Sequence, residues 1–96
     1  MESDNAGYVL MCYDLSGREM FRYPFDIEYD NIYAADNEII ITGGNQCLII
    51  SRKGRTKFAY AFQDMIKSMI PSSGSNEYIV TFEGKTETIK LKAEDD

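Results

Sequence analysis

The 96 residues contain no histidine. That excludes a Ser-His-Asp triad, a Cys-His nucleophile and any imidazole metal ligand. Cysteine is scarce, with only Cys12 and Cys47. Each sits in an apolar run, where a free thiol serves as a small hydrophobe. Two cysteines are too few for a disulfide framework, and neither has a second one close by to share a zinc ion. Long apolar runs are also missing. Tyr8 to Tyr13 is the longest, too short to cross a membrane as a helix, and Met1-Glu2-Ser3-Asp4-Asn5 lacks a leader's basic start. No membrane span is expected, and the chain reads as soluble. Positive charge is outnumbered, with 10 Lys and Arg against 16 Asp and Glu, for a net charge of −6. Such a balance repels phosphate backbones, so nucleic acid is not an expected partner. Arg52, Lys53, Arg55 and Lys57 cluster in a predicted turn, with no glycine-rich cradle to hold an anion.

What the chain does contain is one phrase written twice. Gly17-Arg18-Glu19-Met20-Phe21-Arg22-Tyr23-Pro24-Phe25 returns 37 positions later as Gly54-Arg55-Thr56-Lys57-Phe58-Ala59-Tyr60-Ala61-Phe62. Both read Gly-Arg-x-x-Phe-x-Tyr-x-Phe. A turn glycine followed by aromatics at alternate positions marks a strand with one aromatic face. Around these copies the sequence predicts further strands at 8–13, 31–35, 38–42, 46–51, 67–71, 77–82 and 86–92. Tyr8 to Tyr13 is apolar on both faces and is expected to be buried. Pro24 places its strand at a sheet edge or a bend. Gly43-Gly44-Asn45 is the strongest hairpin turn. The lysines of 86–92 suit an edge strand. Between 59 and 69 two readings compete. Phe58, Phe62, Met65, Ile66 and Met69 fall at helical spacing, while the repeat asks for a connector at 63–66 and a strand at 67–71.

The fold class expected is all-β, an antiparallel meander of eight or nine short strands in a single domain. Residues 31–62 form a full four-stranded unit, 7–30 the latter part of one, 63–92 three strands of another, and 93–96 an acidic tail. Residues 1–7 form a loose arm. About 40 residues per four-stranded unit is the period of a propeller blade. Residues 8–92 resemble blades of the quinoprotein-like β-propellers. More narrowly, Tyr13-Asp14-Leu15-Ser16-Gly17-Arg18-Glu19-Met20-Phe21 resembles a segment that recurs in an uncharacterised family of bacterial, often membrane-anchored propeller proteins. The resemblance implies blade architecture and a bacterial cell-surface setting. It carries over no quinone-cofactor constellation, and the chain departs from the family in holding about two blades and no anchor. Two blades leave apolar faces open. Assembly of several chains, such as three giving six blades, closes them; a small β-sandwich or open barrel is the alternative.

Little chemistry is written in the motifs. Asp26, Glu28 and Asp30 alternate as calcium ligands sometimes do, but without the fixed glycine and terminal glutamate of the known loop. Gly43-Gly44 lacks the lysine and helix of a phosphate loop. Phe21, Tyr23, Phe25, Phe58, Tyr60 and Phe62 are the candidate interface, packing unit against unit or lining a groove for a peptide or sugar. The expectation is a non-catalytic binding or scaffold module, not an enzyme and without cofactor. It is expected to form a homo-oligomer through blade faces or sheet edges, and to meet a protein or peptide partner. The alternatives are a ligand-sensing ectodomain piece of a larger propeller and a carboxylate-dependent glycan-active fragment.

Overall fold

A computed structural model describes residues 7–91. The acidic tail at 93–96, and the loose arm except for Gly7, lie outside the described residues. Nine strands follow one another: β1 (Tyr8–Tyr13), β2 (Glu19–Phe25), β3 (Asn31–Ala34), β4 (Glu38–Gly43), β5 (Gln46–Ser51), β6 (Thr56–Ala61), β7 (Ile66–Pro71), β8 (Glu77–Phe82) and β9 (Lys85–Lys90). They form three antiparallel sheets in the orders β1-β2, β3-β4-β5-β6 and β7-β8-β9. Within each sheet every strand pairs with its neighbour in sequence, so each sheet is a meander. The described strands do not close into a barrel.

The turns follow from short polar side chains and glycines. At the β1–β2 turn the Asp14 carboxylate accepts hydrogen bonds from the Ser16 amide, the Ser16 hydroxyl and the Arg18 amide. These bonds, the Ser16 hydroxyl foremost, hold its pKa below the ordinary carboxylate value. At the β5–β6 turn the Ser51 hydroxyl does the same work for the Lys53 and Arg55 amides. Gly17 and Gly54 occupy the matching positive-φ corners at 91° and 85°. Each hairpin also carries a bulge, after Cys12 in one and after Ile49 in the other. The two copies of the phrase thus fold alike down to their irregularities.

The middle sheet is covered on both sides. Ile40, Cys47 and Ile49 pack on Ile66, Met69, Tyr78, Val80 and Phe82 of the third sheet. Ile41 and Ile50, with Ile39 and Leu48, pack on Phe25, Leu10, Phe21 and Tyr23 of the first. Two-sided burial is why β4 and β5 read as unbroken runs, Ile39-Ile40-Ile41 and Leu48-Ile49-Ile50, and not as alternation. Each such side chain contributes roughly 1.5–3 kcal/mol by leaving water.

Of the two readings of 59–69 the connector and strand hold: the helical spacing belongs to β6, a short connector and β7, which begins one residue early at Ile66. One expectation needs adjusting. β1 is half-buried, and on one face only. Leu10 and Cys12 turn toward the core, while Val9, Met11 and Tyr13 stay exposed, because no described residue covers that side.

Candidate functional site

The six candidate aromatics divide into two seams. Phe21, Tyr23 and Phe25 line the packing of the first sheet on the second. The Tyr23 hydroxyl lies 2.5 Å from Thr56 Oγ1. The Phe21 ring sits so close to the β5–β6 turn that a β-carbon on Gly54 would stand 2.7 Å from it. Phe25 stacks on Tyr8 at 5.4 Å and meets Tyr29 edge-on at 5.8 Å. The second triplet faces the other way. Phe58 and Phe62, the latter just past β6, pack against the core shared with the third sheet. Phe62 meets Phe82 edge-on at 5.4 Å. Tyr60 leans on Phe62 at 4.7 Å and is 50% exposed. The structure therefore brings each triplet together but does not gather all six into one groove.

A buried polar latch joins the second and third sheets. Glu38 opens β4, and its Oε1 accepts a 2.7 Å bond from Lys57 Nζ and a 3.0 Å bond from the Tyr78 hydroxyl. The bulge between Ile49 and Ile50 leaves Lys57 without a paired partner on β5, and its ammonium turns to Glu38. Tyr78 is 1% exposed. Burial first, then the Glu38 carboxylate, raises its phenol far above the ordinary value. Beside it, burial pushes the Cys47 thiol up to about 11, with a backbone bond to Tyr60 opposing. The sequence reading missed this latch. Its one signal was a glutamate at the head of an otherwise apolar strand.

Asp26, Glu28 and Asp30 line an open cleft of about 730 Å³ beside Tyr8, Tyr29 and the β4–β5 turn. The Asp30 carboxylate is already engaged, accepting a 3.1 Å bond from the Gly44 amide. Among the described residues no three His, Cys, Asp or Glu side chains converge as metal ligands. Of the basic cluster, Arg52, Lys53 and Arg55 are exposed around the β5–β6 turn, whereas Lys57 belongs to the latch.

The two outer faces differ in character. On the first sheet, Val9, Met11 and Tyr13 are 54, 40 and 52% exposed, beside the Arg22–Glu19 ion pair at 2.8 Å. Counted along the repeat, Met11 and Tyr13 correspond to Leu48 and Ile50, which in the middle sheet lie under the first. On the third sheet, Ile79, Thr86 and Thr88 stand where the middle sheet has Ile40, Cys47 and Ile49. One end of the stack keeps the apolar pattern and the other has become partly polar.

No helix among the described residues is long and apolar enough to cross a membrane. No curated protein and no solved structure gives a significant match. A family profile described as a family of unknown function, DUF5711, matches residues 1–91. With nearly its whole length matched, the chain belongs to this family.

Proposed function

We propose that the chain is a non-catalytic β-repeat module whose sheets are propeller-like blades, and that it works by stacking on further copies of itself. The observation that carries this reading is the bare Val9–Met11–Tyr13 face of the first sheet. Leu48 and Ile50, the middle sheet's counterparts of Met11 and Tyr13, belong to a core, so their uncovered copies present a ready packing surface. A non-catalytic role fits the residue inventory. There is no histidine, and among the described residues the carboxylate most withdrawn from water, Glu38, is occupied by Lys57 and Tyr78.

Light scattering on the full chain at micromolar concentration tests the proposal. The expected mass is a multiple of the 11.0 kDa chain. Replacing Met11 and Tyr13 together by lysine should return it to a single-chain mass with the β-sheet circular dichroism unchanged. A wild-type protein that runs as a single chain would overturn the reading.

A further inference from the structure

The third sheet is one strand narrower than the second. β6 runs along the outer edge of β5, but among the described residues no strand runs along the outer edge of β9. In an antiparallel sheet half the amides and carbonyls of such an edge point outward and are free to pair. A second observation marks the same place. Where the first sheet packs on the second, the aromatic face of β2 is received by the end of the β5–β6 hairpin: Gly54 lies under Phe21 and Thr56 meets the Tyr23 hydroxyl. β6 carries that aromatic face one sheet further on, with Phe58 and Tyr60 at the positions of Phe21 and Tyr23. Phe58 packs against the core shared with the third sheet, but among the described residues no strand lies along β9 to receive this ridge as β6 receives Phe21 and Tyr23. Tyr60 is half exposed where Tyr23 is partly covered.

We propose that the slot between the free edge of β9 and the Phe58–Tyr60 ridge takes an extended strand from a protein partner, antiparallel to β9. This inference rests on reading the chain as a binding module. The mode is strand addition: main-chain bonds to β9 supply affinity, and side chains at alternate positions supply selectivity. β6 itself, the strand that fills the equivalent slot, sets the chemistry of the occupant. With the turn that precedes it, β6 offers glycine under the aromatic ring, a threonine hydroxyl under the tyrosine and, past the bulge, the small Ala59 and Ala61. The partner strand therefore has a Gly-x-Thr-x-x-Ala-x-Ala character. Lys85 and Lys90 at the two ends of β9 disfavour indefinite edge-to-edge pairing, so the slot suits one short strand.

The test uses the full chain and a fluorescently labelled peptide with the sequence of residues 54–62, followed by anisotropy and amide hydrogen exchange. Saturable binding of one peptide per chain is expected, with new protection of β9 amides. Tyr60→Ala, a change at a half-exposed site, should weaken binding at least tenfold, as should arginine in place of the peptide's threonine. The proposal is overturned by absent saturation at millimolar peptide, by binding that both changes leave intact, or by β9 outer amides already protected in the free chain. The outcome is separable from self-association. A single-chain mass removes the stacking proposal whatever the peptide does, and a failed peptide leaves an oligomeric mass unexplained by the slot but unaltered.

Discussion

At the scale of single residues, the buried interface between the second and third sheets is sensitive to alkali. The Cys47 thiol ordinarily ionises at 9.0 and in the fold at about 11. Tyr78 ordinarily ionises at 10.0, and the fold raises it further. Both groups are neutral when protonated, and both release their protons more readily from the unfolded chain. Their contribution to stability is fully present below about pH 9 and is lost as pH rises, from 9 toward 11 for Cys47 and above 10 for Tyr78. The urea midpoint is expected to stay level from about pH 7 to 8.5 and to fall steadily by about pH 10.5. Tyr78→Phe should lower the midpoint at neutral pH, because Glu38 loses a donor, at a cost of about 1–3 kcal/mol. It should also flatten the decline above pH 10. A decline equally steep in the variant would show that Tyr78 does not report on the alkaline transition.

At the scale of elements, the β4–β5 turn is the joint on which the connectors close. Gly44 donates to the Asp30 carboxylate and accepts from the Ile66 amide, while Asn45 exchanges backbone and side-chain bonds with Phe62. The connector from the first sheet passes so near that a β-carbon on Gly43 would lie 1.9 Å from the Glu28 carbonyl oxygen. Backbone atoms cannot step aside as a side chain can. Gly43→Ala is expected to cost about 2–3 kcal/mol in urea unfolding. Gly44→Ala meets nothing nearer than 3.8 Å but must hold φ at 59°, a cost of about 1–2 kcal/mol. The reverse order of severity would contradict this geometry. Gly43-Gly44-Asn45 was legible as a hairpin turn, and the strands and their pairing were legible with it, because the doubled phrase and the turn residues agree. The close approach of Glu28 was not, since it depends on tertiary packing. The false helical spacing at 59–69 has a local cause. β7 carries a bulge between Ile66 and Ser68, so Ile66 and Met69 both turn inward although three positions apart. A bulge writes a helix-like interval into a strand. Lys57 shows the same limit: only the bulge takes it from the basic turn cluster to the buried carboxylate of Glu38.

At the scale of the whole molecule, the stack is polar in the directional sense, and that direction limits how the proposed association of copies would run. The first sheet offers Val9, Met11 and Tyr13, while the third offers Thr86 and Thr88 at positions that are apolar in the middle sheet. An end repeat with a polar outer face stops further stacking. With one adhesive end, copies pair through that end and growth halts at a small closed assembly. With two, each copy joins the next head to tail, and unless the rotation closes a ring the result is an open polymer. Thr86→Ile combined with Thr88→Ile restores the middle sheet's pattern at the third sheet's outer face. Both sites are exposed on β9, so the fold should tolerate the change. The double variant is expected to shift light scattering from a small discrete mass to large, concentration-dependent species. Adding Met11→Lys and Tyr13→Lys should reverse the shift by removing the other adhesive end. If the threonine-to-isoleucine variant kept the wild-type mass, the third sheet's outer face would not be a stacking surface, and the two threonines would owe their place to some other demand on that strand.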